Sequence, residues 1–441
     1  MNLNVEITSR DTIKPSSPTQ PHLSPINLSL IDQFSLNAYV PLLLFYSNSN
    51  ATSNPTTKIQ SLTNSLSKAL TKFYPLAGTI NGDNLTIECN DRGVLVLVAR
   101  VTNCHLSQVL SCPDLEQLDQ LLPTKERDGK SLFAIQITSF VCGGMVVGVY
   151  INHKIGDASS LSFFLNNWAS IARADEVVIE GTESPVYGFE YLFQRGQQVP
   201  MLMGVNEKRE RLASRKFVFH SSTIAALQAK HSIDKAPAKS PSRVMAVTAF
   251  LWRIAMNTEE KQESSISNSI KPTFMEISIN LRGRMDPPLS DHHFGNLSVV
   301  TTTPISNSTT VSSGSTESEL VEHMEGLVRG IDSDYIKRLQ SGDEYLVLIQ
   351  SMEKAEEMFA RGAAARYTMS SWCGFPFYGV DFGWGRPLWL TLSAVLDYKN
   401  LFLLTDTSCG EGVEALVVLS EEHMERFVNY PEIVALFGLE D

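Results

Sequence analysis

The chain of 441 residues is short of paired cysteines, of positive charge and of long apolar runs. Its six cysteines (Cys89, Cys104, Cys112, Cys142, Cys373 and Cys409) are scattered, with no Cys-x-x-Cys pair. That spacing speaks against a disulfide scaffold or a zinc site and for reduced thiols. Lys and Arg number 36 against 48 Asp and Glu, a net charge of −12. An acidic chain without a basic run lacks the electrostatic footprint of a nucleic-acid or anionic-membrane binder. The longest apolar stretches, around Pro41–Tyr46 and Phe140–Ile151, fall short of the roughly 18 residues a membrane span needs. Met1–Asp11 is polar and has no apolar core of a secretory signal. The expectation is a cytoplasmic protein that engages neither nucleic acid nor membrane.

Several catalytic motifs are missing too. No Gly-x-Ser-x-Gly elbow and no His-Glu-x-x-His occurs. Gly129-Lys130-Ser131 lacks the earlier glycine of a phosphate loop, and Gly143-Gly144 to Gly148 has the wrong spacing for a dinucleotide fingerprint. Covalent serine hydrolases, P-loop NTPases, Rossmann dehydrogenases and zincins lose their main support, and no metal site is expected.

What is present is ordinary globular composition, 43% hydrophobic and 19% charged, enough for two or three cores. Strand and helix patterns alternate. Ile59–Lys72 and Ala158–Ala172 read as amphipathic helices, Val244–Ala255 as a buried one, and Glu421–Asn429 as a closing one. Leu95–Val101, Phe133–Thr138, Phe274–Asn280, Leu388–Leu396, Leu401–Thr405 and Val413–Leu419 read as strands. Phe140–Ile151 reads as one long strand kinked at Gly143-Gly144. The expected fold is α+β, with a mixed sheet and flanking helices in each of two lobes. The first spans residues 1–180, a crossover runs over 181–214, and the second spans 215–441.

Two segments carry the chemistry. In Tyr150-Ile-Asn-His153-Lys-Ile-Gly-Asp157, a strand ends at a histidine and a helix begins just after Asp157. Asp157 stands where an N-cap belongs, and His153 stands at a strand end, a rigid position suited to a general base. By itself His-x-x-x-Asp fits a structural histidine as well. The second segment is Val380-Asp381-Phe-Gly383-Trp384-Gly385-Arg386-Pro387, whose glycines specify a tight turn. Asp381 and Trp384 more often pin such a loop than touch a substrate. His292-His293 is a poor metal pair, since adjacent residues of an extended segment point apart.

Together, His153–Asp157 and Asp381–Gly385, in that order and over half the chain apart, resemble the two signatures of the plant BAHD acyl-CoA-dependent acyltransferases. Leu-Ile-Asp32-Gln, Phe73-Tyr-Pro-Leu-Ala-Gly78, Asn280-Leu-Arg282-Gly-Arg284, Gly295-Asn296, Ser371-Trp372 and Gly412-Val-Glu-Ala415 agree with it. The resemblance implies a two-lobe fold like chloramphenicol acetyltransferase, with an active-site channel between the lobes. It implies His153 as general base and Asp157 as holder of the histidine loop, through a salt bridge to Arg282 or Arg284, Arg282 being preferred. It implies Asp381, with Gly383 and Trp384, on the CoA side of the site. Ser242, Arg243, Asn296, Ser371 and Trp372 are implied in binding the donor, Arg243 at a phosphate and Trp372 near the acyl carbonyl.

Acetyl-CoA is the expected co-substrate, with no permanently bound cofactor and a monomeric state. The expected acceptor is a hydroxyl of a bulky alkaloid or terpenoid. Ala158 replaces the usual glycine after the motif aspartate, and the box associated with malonyl donors is only partial at His293-Phe-Gly-Asn296-Leu297. Other donors (benzoyl, hydroxycinnamoyl), an amine acceptor, or a paralogue that only binds small molecules are the alternatives. The intact His153, Asp157 and Asp381 argue against the last.

Overall fold

The computed structural model describes residues 2–48, 54–82, 85–124, 131–173, 184–193, 210–230, 240–259, 272–301, 315–342, 353, 356–359, 361, 364–392 and 398–438. Two six-stranded mixed sheets are built from twelve strands. In chain order these are β1 (Val5–Ile13), β2 (Tyr39–Tyr46), β3 (Val94–Val101), β4 (Phe133–Phe140), β5 (Met145–Asn152) and β6 (Leu212–Phe219). They continue as β7 (Thr273–Asn280), β8 (Ser298–Thr301), β9 (Ala365–Ser371), β10 (Trp389–Thr391), β11 (Leu401–Asp406) and β12 (Val413–Ser420). The helices that matter for the site are α1 (Leu30–Phe34), α2 (Pro55–Lys72), α3 (Ala158–Ala172), α4 (Arg243–Thr258) and α5 (Glu421–Val428).

The chain divides into two compact units. The first comprises Met1–Met201, Pro287–Leu297 and Phe375–Val395, and the second the remainder. In the first unit the sheet order is β1-β3-β4-β5-β2-β10, antiparallel except for the parallel β3–β4 pair. The Asp381–Gly385 segment, expected in a C-terminal lobe, belongs here, because β10 pairs antiparallel with β2 through Trp389 and Phe45. The expected second lobe, 215–441, therefore gives two segments, Pro287–Leu297 and Phe375–Val395, to the first unit. In the second unit the order is β8-β7-β9-β11-β12-β6, with β7, β9 and β11 mutually parallel. β6 begins at Leu212, inside the segment read as crossover; much of that segment, 181–183 and 194–209, lies outside the described residues.

Apolar spacing explains the packing. In α3, Leu161, Phe164, Leu165 and Trp168 are buried, as the 3.6-residue period dictates. Phe164 meets Phe133 of β4 edge-on at 5.1 Å, and the Trp168 indole donates to the Leu62 carbonyl of α2 at 3.2 Å. The run Phe140–Ile151 is not one kinked strand but the turn and second strand of a hairpin: β4 and β5 pair antiparallel around a turn where Gly143 takes φ +78°. Left-handed backbone there is cheap only for glycine. Gly148, in mid-β5, has another reason. A Cβ there would lie 2.2 Å from the Leu121 carbonyl oxygen, so the strand leading to His153 admits a close backbone approach.

In the second unit, His423 of α5 is buried against α4, its Nε2 3.0 Å from the Ala255 carbonyl and 3.1 Å from Thr258 Oγ1. Burial, only partly offset by the Ala255 hydrogen bond, pushes this imidazole down to about 4. A depressed folded-state value means that the unfolded chain takes the proton first. Its contribution is thus whole above about pH 6.5 and lost as pH falls toward 4, about 3 kcal/mol in all. Chemical denaturation across that window should therefore show a shallower acid decline in His423→Gln than in the wild type; equal slopes would contradict the assignment.

Candidate active site

The histidine loop is built on the end of β5. Asn152, the last strand residue, donates through Nδ2 to Asn37 Oδ1 at 2.7 Å, while its Oδ1 accepts the Lys154 N–H at 2.9 Å. The His153 N–H donates to the Ala38 carbonyl at 2.9 Å. Lys154 turns inward, and its ammonium donates to the carbonyls of Gln33 (2.7 Å) and Asp32 (3.3 Å) at the end of α1. Cations are favoured at a helix C-terminus, though burial pushes this lysine down to about 8. His153 is thereby held with its ring half-buried.

Asp157 caps α3 as its position in the sequence requires. One carboxylate oxygen accepts the Ser160 N–H at 3.0 Å and the other accepts the Leu297 N–H at 3.0 Å. Ser160 Oγ in turn donates to the Gly295 carbonyl (2.8 Å) and accepts the Gly295 N–H (3.0 Å). Residues 295–297, distant in sequence, are so stitched to the histidine loop.

Asn296 closes the arrangement. It is fully buried, and its Oδ1 lies 3.1 Å from His153 Nδ1. Its Nδ2 donates both to the His153 carbonyl (2.8 Å) and to Asp32 Oδ1 (3.0 Å), which also accepts the Asn296 N–H at 3.0 Å. With Nδ2 spent on two acceptors, Oδ1 is what faces the ring. Nδ1 therefore carries the proton and Nε2 the lone pair, the state a general base needs. Asn296 was expected to contact the donor; its side chain is instead committed inside this cluster. Asp32 sits at 5% exposure, and its other oxygen accepts Ser29 N–H (2.9 Å) and Ser29 Oγ–H (2.7 Å). Burial pushes its carboxyl up while these donors pull it down. Sequence reasoning gave Asp32 no role; the Ser29-x-x-Asp32 capping box was the available signal.

The second motif forms a separate loop of the same unit. Asp381 Oδ1 accepts the N–H groups of Gly383 (2.8 Å) and Gly385 (2.9 Å), whose φ angles are +103° and +111°. The Tyr46 hydroxyl donates to the Val380 carbonyl at 3.0 Å, and Arg173 donates to the Asp381 carbonyl. Phe382 and Trp384 stack 5.7 Å apart, and the Lys58 ammonium stands 5.5 Å from the Trp384 ring centroid. Asp381, expected on the CoA side of the site, thus spends its carboxylate on its own loop. Asp381→Ala is expected to cost about 1–3 kcal/mol, the net worth of two lost hydrogen bonds, one of them to the exposed Gly383 N–H. A melting temperature equal to wild type would contradict that role.

The remaining site residues belong to the second unit. Ser242 caps α4, its Oγ accepting the Met245 N–H at 3.2 Å. Arg243 was expected to meet a phosphate. Its guanidinium instead donates to Asp406 Oδ1 (2.5 Å) and to the Gly410 carbonyl (2.7 Å). Asp406 Oδ2 accepts the Gly374 N–H at 2.7 Å, so Arg243 braces the turn after Ser371 and Trp372. The Trp372 N–H donates to the Leu404 carbonyl at 2.7 Å, and Ser371 Oγ accepts the Cys373 N–H at 3.3 Å. Arg284 donates to the Val328 and Ile331 carbonyls (2.9 and 2.7 Å), whereas Arg282, 2% exposed, lies against Asn280 Oδ1. His292 and His293 do not point apart as expected. Their rings stack 4.7 Å apart, because the chain turns here and Ser290 Oγ reaches both.

Comparison with known proteins bears on this arrangement as a whole. The family model described as the Transferase family matches residues 3–434. Salutaridinol 7-O-acetyltransferase of Papaver somniferum is 32% identical, over 98% of each chain. Limonoid 21-O-acetyltransferase of Citrus sinensis is 34% identical, again over 98% of each. Among solved structures, vinorine synthase is 31% identical and covers 99% of each chain with a TM-score of 0.78. With residues 3–434 matched by the family model and relatives above 30% identity over nearly their full length, the chain belongs to the Transferase family of BAHD acyl-CoA-dependent acyltransferases.

Proposed function

We propose that the protein transfers an acetyl group from acetyl-CoA to a hydroxyl of a bulky alkaloid or terpenoid. The observation that carries this is the 3.1 Å contact of His153 Nδ1 with Asn296 Oδ1, an amide whose Nδ2 is held by two acceptors; from it we infer the Nδ1–H tautomer, with Nε2 left as base. The acetyl donor and the acceptor class are supported by the relatives, whose names specify O-acetylation of an alkaloid and of a limonoid.

An alcohol is a poor nucleophile at neutral pH. His153 Nε2 takes the hydroxyl proton as the oxygen attacks the thioester carbonyl carbon. The carbonyl becomes a tetrahedral oxyanion, the C–S bond breaks, and the imidazolium returns its proton to the CoA thiolate. Products are the ester and free CoA, and the base is regenerated. No side chain is acylated, since holding donor and acceptor together supplies the advantage a covalent intermediate would otherwise give. Within the second unit we assign donor contacts to Ser242 and the Ser371–Trp372 turn, with Arg243 bracing that turn rather than contacting phosphate. We further propose a cytosolic monomer, consistent with six free thiols.

Release of CoA thiol is the test, with acetyl-, malonyl-, benzoyl- and coumaroyl-CoA each offered against hydroxylated alkaloids and limonoids. Acceptor-dependent release with acetyl-CoA is expected, together with an ester of the acceptor by mass spectrometry. Release only from a larger donor, or only onto amines, would overturn the acetyl or the alcohol assignment.

A further inference from the structure

We propose that Asp32 is a positioning residue for the reaction: through Asn296 it fixes which tautomer His153 adopts. The inference rests on the reading of His153 as base, and it adds a residue that does not touch the imidazole in order to act on it.

A primary amide can present either its oxygen or its NH₂ to a neighbour, and the two orientations fill almost the same space. Presented with Oδ1, His153 keeps its proton on Nδ1. Presented with Nδ2, it would have to accept there, and the proton would move to Nε2, the atom that must be free to act as base. Nothing in the ring–amide contact alone selects one arrangement. Selection comes from the acceptors around Nδ2, the His153 carbonyl at 2.8 Å and, on the far side, Asp32. Asp32 Oδ1, 3.0 Å from Asn296 Nδ2, can only accept, because both Asp32 oxygens already receive donors: Asn296 N–H and Nδ2–H on one, Ser29 N–H and Oγ–H on the other.

Rotating the amide would set its oxygen against this carboxylate and against the His153 carbonyl, two acceptor–acceptor contacts at a fully buried site. Buried polar groups left so opposed are costly. Lys154 feels the charge of Asp32, and its ammonium is anchored on the Asp32 and Gln33 carbonyls. Asp32, Asn296 and His153 thus form an acid–amide–imidazole relay. In it the carboxylate dictates orientation by acceptance alone and moves no proton.

The test is the nitrogen-15 spectrum of the His153 ring in the full chain, with kinetics alongside. The wild type should show Nδ1 protonated and Nε2 unprotonated at a pH where the ring is neutral. A wild-type ring protonated on Nε2 overturns the proposal without any variant. Asp32→Asn puts a donor where only acceptors stood and releases the amide. It should populate the Nε2–H tautomer and lower kcat by at least about tenfold, with KM for acetyl-CoA little changed.

The exchange D32N/N296D should recover the Nδ1–H tautomer, since a carboxylate at position 296 can only accept from the ring. Asp32→Asn with the wild-type tautomer, whether kcat holds or falls with stability, would make Asp32 merely structural. These outcomes separate from the base assignment itself, which fails only if turnover survives loss of the His153 imidazole.

Discussion

His153→Ala should lower kcat by about 10²–10⁴-fold, the usual worth of a positioned general base, while the protein stays folded. The ring is half-buried and its polar atoms serve a single side-chain partner, Asn296 Oδ1, in the described cluster. Removing it opens that atom to water rather than stranding it in a dry core. The stability loss should therefore stay near about 1 kcal/mol, the net worth of one hydrogen bond. The backbone on either side is pinned independently, by Ala38 before the ring and by the Lys154 anchor after it. A thermal shift on adding CoA should persist. Turnover within tenfold of wild type would remove the general-base assignment.

Asp157→Ala should fail differently, by losing structure first. The carboxylate receives one N–H from the first turn of α3 and another from Leu297, beside Asn296. Loss of the cap costs about 0.5–2 kcal/mol, and the partly buried Leu297 N–H left without this acceptor about 1–3 more. A fall of roughly 2–4 kcal/mol should lower the melting temperature by about 5–15 °C for a unit of this size. Activity should fall too, because Leu297 moving shifts Asn296 and with it the imidazole. Asp157→Asn keeps one acceptor and turns an NH₂ toward the other donor, so it should fall between the two. An unchanged melting temperature in Asp157→Ala, with activity lost, would make Asp157 a direct participant in catalysis.

Local patterns were legible and distant pairings were not. Helix α3 runs over Ala158–Ala172 as its apolar spacing and its aspartate cap indicate, because both ends are set by residues within the helix or next to it. The mixed sheets follow from apolar runs of strand length. The Phe140–Ile151 run was misread because two glycines in an apolar run fit a kink as well as a turn, and only the cross-strand register decides. Strand β10 joins the first unit through Phe45, more than three hundred residues earlier, a pairing no local period encodes.

The site shows the same division. His153 and Asp157 could be placed from strand, turn and cap, while their roles came from the resemblance. Asn296 lies 143 residues after His153, and Asp32 lies 264 residues before Asn296, so their convergence is a property of the fold. Arg243 was expected at a phosphate only because the family resemblance implied it. Asp406, 163 residues on, takes that guanidinium instead.

The central claim is direct transfer from thioester to alcohol with His153 as base and no acylated side chain. Its sharpest test is rapid mixing of enzyme with excess acetyl-CoA in the absence of acceptor, following thiol release on the millisecond scale. The account predicts no burst, and intact-protein mass unchanged by 42 Da of acetyl (a value set by the chemistry of the transferred group, about one acetyl replacing one hydrogen). One equivalent of CoA released at once, with acetyl found on a side chain that then passes it to the acceptor, would contradict it.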